Sequence, residues 1–236
     1  MAKRLDDFFS KRYALGKERI HTCPELIECI GEIGFLPLLE SGIDGFSAEA
    51  MMAEECQFVQ FDDGSWEWPL WNWKGSAVRE GNCLYGKFFA TKAGFVSRDW
   101  WSDFCNWRRS QHPTPEAGSI EDMILQTLRE NGSMVARELR AACGFTGQKM
   151  RSRFDAQIAR LQMACRIVTA DFVYPVDKQG REYGFGWSLL TTPESLIGKE
   201  ACSCSREPDE SLERMKTHLH NILPQASPKQ IEKILK

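Results

Sequence analysis

The sequence lacks the patterns that define several broad classes of protein. It contains no run of 18 apolar residues, so we expect no membrane span. Its first 18 residues carry charges throughout and no apolar segment, so we expect no secretory signal. The nine cysteines include no C-x-x-C pair, and an odd number would leave one unpaired in an oxidising compartment. We therefore expect a cytoplasmic protein with free thiols.

Catalytic signatures of defined spacing are also missing. The sequence has no G-x-S-x-G, no H-E-x-x-H, no P-loop and no G-x-G-x-x-G. Cys202, Cys204, His218 and His220 could ligate a metal, but their spacing matches no familiar zinc pattern. The plainer interpretation is a linker followed by two histidines on a helix, so we expect neither a metal nor a cofactor. Because the net charge is −3, any nucleic-acid surface must be a local patch.

Tryptophan is concentrated in the segment WEWPLWNWKG, residues 66–75. In extended chain, residues two apart point to one side, and Pro69 removes a ladder donor. We therefore expect two tryptophan pairs, Trp66 with Trp68 and Trp71 with Trp73, separated by a bend or an edge strand. Seven of the eight tryptophans precede a linker at 110–119. Either most of them form a core, or some form a platform on which bases stack.

Local signals predict the elements around this segment. Residues 1–20 are expected to form a helix or a docked arm. The spacing of apolar residues and the capping residues predict helices over 24–40 with a stop at Gly34, over 48–56 and over 98–109. Strands are predicted over 83–89 and 95–97, around a turn at 91–94. Asp62-Asp63-Gly64 is a turn signal.

Residues 119–190 hold the most specific pattern. Three helices are followed by two strands that flank the turn VDKQGR, centred on Gly180. This order predicts a winged helix-turn-helix, although Val135 is an unusual cap for the second helix. Residues 137–166 carry seven cationic and two acidic residues, which is a local excess of positive charge. The partner that we expect is double-stranded DNA.

In this fold the third helix can enter the major groove, and the turn between the strands forms a wing. The outward face of the third helix is predicted to include Gln148, Arg151, Ser152, Asp155 and Gln162. The candidate DNA contacts are Gln148, Lys149, Arg151, Ser152, Arg153 and Arg160 on the helix, and Lys178 and Arg181 on the wing. The alternative is a winged helix that binds only protein or has a structural role.

The predicted fold class is therefore α+β and mostly helical, in three parts. Residues 1–112 form a tryptophan-rich α+β domain, residues 118–193 a winged-helix domain, and residues 194–236 a linker with C-terminal helices. The last helix opens with a capping box at Ser227 and Gln230. The C-terminal helices could mediate assembly into a homo-oligomer.

Three stretches resemble an uncharacterised bacterial family described as AlkZ-related. They are WEWPLWNWKG, YGKFFATKAGFVSRDWWSDFCNWRR and RLQMACRIVTADFVYPVDKQGREYGFGWSLLTTPE, and they cover most of residues 66–194. The family is distantly similar to the AlkZ-type DNA glycosylases, which are built from winged helices and remove alkylated or crosslinked bases. The resemblance implies bacterial origin, winged-helix architecture and a role in DNA repair.

The AlkZ-type enzymes carry a Gln-apolar-Gln or Gln-apolar-Asp motif that positions the hydrolytic water. Gln60-Phe61-Asp62 matches it here, so the resemblance makes Gln60 and Asp62 the candidate catalytic residues. A carboxylate can orient water and stabilise positive charge on the sugar. The alternative is a strand end that runs into a turn. Three functions stay open at this point: duplex-DNA binding, which we favour, an AlkZ-like glycosylase, and an assembly module that binds no DNA.

Overall fold

The computed structural model describes residues 19–236, except for the side chains of residues 148 and 149. The predicted helix or arm over 1–20 thus lies almost wholly outside the described residues. The elements of the first half are α1 (Cys23–Ile33), β1 (Phe35–Pro37), α2 (Ala48–Met51), β2 (Val59–Gln60), β3 (Trp66–Glu67), α3 (Pro69–Glu80), β4 (Cys83–Phe89), β5 (Lys92–Ser97) and α4 (Arg98–Gln111). Those of the second half are α5 (Ile120–Asn131), β6 (Met134–Val135), α6 (Ala136–Ala142), α7 (Gln148–Met163), β7 (Val168–Val173), β8 (Trp187–Thr191), α8 (Pro193–Ile197), α9 (Pro208–Ile222) and α10 (Pro228–Leu235).

The first predicted helix is confirmed over α1 and ends where glycine allows it. The Thr22 side chain caps its N-terminus by accepting from the Glu25 N–H, and proline lies in the first turn. Gly34 ends it with φ at 81°, a left-handed conformation that favours glycine. The residues after Gly34 form strand β1 and not the helix that was predicted to reach residue 40. The predicted helix over 48–56 is likewise shorter, because α2 is followed by a 3-10 turn at Glu54–Cys56.

Six strands form one antiparallel sheet in the order β1-β5-β4-β7-β8-β6. The predicted strands at 83–89 and 95–97 are present, but β5 begins at Lys92, so the turn is shorter than predicted. Ala90 and Thr91 both have positive φ, which is the conformation of a two-residue hairpin turn. Strand β4 pairs with β7 through Tyr85 and Thr169, so the sheet continues from the first half of the chain into the second.

The chain has two clusters of buried hydrophobic residues. The smaller cluster is formed by α5, α6, α7 and Leu190 of β8. The larger cluster lies mainly in the first half, and it also includes Cys165, Val168 and Phe172 from the segment around β7. The division of the chain at residues 112 and 118 stays a prediction, while the sheet and the larger cluster extend across that position.

The C-terminal helices pack into the larger cluster. Met215, Leu219 and Ile222 of α9 are buried there, as are the apolar residues of α10. The predicted capping box at Ser227 and Gln230 is confirmed. The apolar stripes of both helices are thus covered by this chain itself. None of the helices in the described part of the chain is long and apolar enough to cross a membrane.

Candidate nucleic-acid interface

One side of helix α7 packs against the smaller cluster, and the other side is exposed to solvent. Phe154, Ile158 and Leu161 are buried in the smaller cluster. The helical period therefore turns Arg151, Ser152 and Arg153 outward, and all three are exposed. The predicted exposure of these residues is confirmed. Gln148 and Lys149 belong to the first turn of α7, but their side chains lie outside the described residues.

The exposed arginines of α7 have weak carboxylate partners or none. Arg151 lies 3.7 Å from Asp155 one turn along the helix. Arg160 lies 3.4 Å from Glu121 of α5, and its side chain is 68% exposed. Arg153 forms no ion pair with the described residues. Exposed ion pairs of this kind contribute about 0–1 kcal/mol, so phosphates could replace the carboxylates at small cost.

Gln162 was predicted on the outward face of this helix, and that prediction is wrong. The side chain is 3% exposed. Its oxygen accepts from the Lys87 N–H at 3.3 Å, and its amide nitrogen donates to the Thr169 hydroxyl at 3.4 Å. The last turns of α7 lie against strands β4 and β7, so a residue that would face solvent on an isolated helix is covered by the sheet.

The loop between β7 and β8, residues 174–186, is organised by one carboxylate. The Asp177 side chain accepts hydrogen bonds from the backbone N–H groups of Gln179 and Arg181, and from the Arg181 guanidinium at 2.9 Å. The backbone N–H of Arg181 is the main reason that the pKa of Asp177 is lowered. The predicted turn at Gly180 is confirmed. Lys178 and Arg181 are both exposed at the tip of this loop.

Gln60 and Asp62 lie on a small hairpin that β2 and β3 form by themselves. Gln60 pairs with Trp66 at the end of β2, and the predicted turn at Asp62-Asp63-Gly64 is confirmed. Both candidate catalytic side chains are exposed. The local geometry is a strand end running into a turn, and the catalytic assignment stays a prediction.

The β2–β3 hairpin lies against the β7–β8 loop. The rings of Trp66 and Phe185 are stacked, with centroids 5.0 Å apart and an angle of 13° between their planes. The indole N–H of Trp71 donates to the Phe185 carbonyl oxygen at 3.0 Å. The structure therefore brings Gln60 and Asp62 beside the loop that carries Lys178 and Arg181. Sequence analysis missed Phe185 because its flanking glycines suggest only close packing within a strand.

The tryptophan-rich segment is not extended throughout, which corrects the predicted pairing. Pro69 begins α3, a position where its missing N–H costs nothing, so Trp71 and Trp73 lie on a helix and point in different directions. Trp68 stacks on Trp71 with centroids 5.2 Å apart. The expectation that most tryptophans form a core is confirmed for Trp68, Trp71, Trp73, Trp100, Trp101 and Trp107, which are buried or pack against the larger cluster.

The cysteines and histidines weighed as metal ligands have other contacts. The Cys204 thiol lies near Asp103 and Ser211, and the His218 ring nitrogen lies 2.8 Å from the Ile33 carbonyl oxygen. Within residues 19–236, no group of three or more His, Cys, Asp or Glu side chains is arranged to hold a metal ion.

Lys74 is fully buried beneath the hairpin and the loop. Its ammonium lies 3.5 Å from the Trp71 ring centroid and 4.3 Å from that of Phe172, and it donates to the Trp71 carbonyl oxygen at 3.0 Å. No carboxylate of the described residues pairs with it. Burial lowers the pKa of Lys74 to about 7. The site thus contains a lysine that loses its proton near neutral pH.

Comparison with known proteins gives one match. The sequence model of a family described as AlkZ related matches residues 20–236, which is nearly the whole chain. No curated protein and no solved structure matches the chain.

A Lys74→Met substitution is expected to stabilise the protein below neutral pH, by about 1–3 kcal/mol near pH 6. The unfolded chain keeps the ordinary pKa of 10.5, whereas the folded pKa is about 7. Between these values the unfolded state binds more protons, so the wild type gains stability as the pH rises. The advantage of methionine should therefore shrink between about pH 7 and pH 10. Denaturant titrations of both proteins at several pH values measure the difference in their free energies of unfolding.

Lys87→Met is the matched control, because Lys87 is an exposed lysine of β4. The same titrations of the Lys87 variant show how far replacing any lysine by methionine changes the free energy of unfolding. If the free energies of unfolding of wild type and the Lys74 variant differ by the same amount at every pH in that range, the result would contradict the lowered pKa of Lys74.

Proposed function

The chain belongs to the AlkZ-related family, and on that premise we propose that it binds duplex DNA through α7 and the β7–β8 loop. Family membership suggests a DNA-repair-related function, for which contact with DNA is required. The observation that carries the proposal is the exposed face of α7, where Arg151, Ser152 and Arg153 point outward from a helix whose other side is buried.

The order of elements supports a winged-helix interpretation of this region. Helix α5, the short strand β6, helices α6 and α7, and strands β7 and β8 follow one another, and β6 pairs with β8. In a winged helix the third helix enters the major groove, and the loop between the last two strands contacts the backbone. On this proposal Arg151 and Arg153 of α7 contact base edges and the adjacent phosphates, and Lys178 and Arg181 bind phosphates.

The chemistry of the side chains suits these two roles. Arginine can donate two hydrogen bonds to guanine O6 and N7, and a serine hydroxyl can contact either a base or a phosphate. Residues 137–166 hold seven cationic and two acidic residues in a chain of net charge −3, so positive charge is concentrated where α6 and α7 lie. Such a patch attracts DNA by releasing its condensed counterions.

The double variant Arg151→Ala, Arg153→Ala is expected to bind random duplex DNA about tenfold more weakly, or worse. Each lost phosphate contact should also lower the slope of log affinity against log salt by about 0.9. Fluorescence anisotropy of a labelled duplex at several salt concentrations measures both quantities. Arg129→Ala is the matched control, because Arg129 is exposed at the end of α5. Wild-type binding that is absent or insensitive to salt would overturn the proposal.

A second candidate function, base excision, is favoured by the contact between the β2–β3 hairpin and the β7–β8 loop. The Trp66–Phe185 stack holds the hairpin that carries Gln60 and Asp62 against the loop that carries Lys178 and Arg181. On this reading Asp62 orients a water molecule toward the sugar carbon, and Gln60 holds that water by hydrogen bonding. An extruded base would have to reach the hairpin for this reaction.

If the chain excises bases, Asp62→Asn should slow the release of base from N7-alkylated duplex by about 100-fold, because the carboxylate that assists the water is lost. Glu67→Gln is the control, since Glu67 is an exposed carboxylate of the same hairpin. Base release is followed by chromatography, and DNA affinity is measured in parallel. Unchanged release in the Asp62 variant would exclude the assigned role while leaving duplex binding intact.

A further inference from the structure

We propose that the β2–β3 hairpin and the β7–β8 loop together bind unpaired nucleobases. This inference rests on the proposed DNA-binding function and names the form of DNA that the site prefers. The rings concerned are called the aromatic platform: Phe58, Phe61, Tyr183 and Phe185. They are 49%, 45%, 57% and 58% exposed, whereas Trp66, Trp68, Trp71 and Tyr174 in the same region are half-buried.

The exposed large hydrophobic side chains of the described chain are concentrated in one region. Besides the platform, Val59 lies on the hairpin, and Val173, Val176 and Trp187 lie on or beside the loop. The two segments are distant in sequence, and the Trp66–Phe185 stack joins them. A group of exposed apolar side chains on two segments that contact each other is typical of a binding site.

The ring geometry favours a flat aromatic ligand. Phe185 is stacked on Trp66, forms a T-shaped contact with Trp71, and remains more than half exposed. Phe61 and Tyr183 have no ring partner among the described residues. Bases stack on such rings without regard to sequence, because every base presents a π-face.

Cations that could hold phosphates lie on and beside the β7–β8 loop. The Arg137 guanidinium lies 5.0 Å from the ring centroid of Trp187, at the base of the loop. Arg137 forms no ion pair with the described residues, and Lys178 likewise has no carboxylate partner there. These cations could hold the phosphates that flank a stacked base. Carboxylates also lie on the hairpin, at Asp62, Asp63 and Glu67, and on the loop, at Asp177 and Glu182. The exposed ones can accept hydrogen bonds from base amino groups.

The test compares an intact duplex with the same duplex carrying a small bulge of unpaired thymines. Wild type is expected to bind the bulged duplex about tenfold more tightly, because each stacked base adds affinity. The double variant Phe61→Ala, Tyr183→Ala should lose this preference. It should keep its affinity for intact duplex, because the proposed duplex contacts, on α7 and at Lys178 and Arg181, are unchanged. Leu39→Ala is the control, since Leu39 is an exposed hydrophobic residue that follows β1, near the opposite edge of the sheet.

The outcomes separate this inference from the proposed function. Equal affinity of wild type for the two duplexes would overturn the inference alone, whereas no binding to either would overturn both. The Arg151, Arg153 variant should bind both duplexes more weakly by the same factor. Sedimentation equilibrium tests the alternative of self-association. If wild type is a dimer and the Phe61, Tyr183 variant is a monomer, the platform mediates self-association and the inference is overturned.

Discussion

One buried guanidinium holds together three elements that support the candidate interface. Arg108 of α4 is 1% exposed and donates to the carbonyl oxygens of Met163, Phe88 and Leu235, at 2.7, 2.9 and 3.0 Å. These acceptors lie at the ends of α7, β4 and α10. An unpaired group at such a position costs roughly 1–3 kcal/mol, so the three elements must converge on this side chain. The C-terminal end of α7 is thereby held to the sheet, and Arg151 and Arg153 lie toward its other end.

A second contact determines what lies beside the β7–β8 loop. The Trp66–Phe185 stack holds the β2–β3 hairpin, which has no strand partner in the large sheet. The hairpin therefore depends on aromatic packing for its position. As a result, the Gln60–Asp62 pair, the aromatic platform and the cations of the loop occupy neighbouring positions. Contact with phosphates, stacking of unpaired bases and water activation would then use adjacent parts of one surface.

Local physics made much of this fold predictable, and long-range contacts account for the errors. The helix stop at Gly34, the capping box at Ser227 and the turns at Gly64 and Gly180 depend on a few adjacent residues, so their patterns sufficed. The helical pattern wrongly predicted that Gln162 faces solvent, because only the tertiary fold brings this residue against the sheet. Phe185 could not be linked to Trp66 from the sequence, because the contact joins segments far apart in the chain. A bend or an edge strand was predicted at Pro69, whereas Pro69 begins helix α3.

The central claim is that α7 and the β7–β8 loop form the surface that contacts DNA. Hydrogen–deuterium exchange of the full chain, with and without random duplex, tests it most directly. The account predicts slower exchange in residues 148–160 and 174–186 when DNA is bound, and loss of that protection at high salt as the phosphate contacts weaken. Protection confined to α9 and α10, or absent from both predicted segments while DNA is bound, would contradict it.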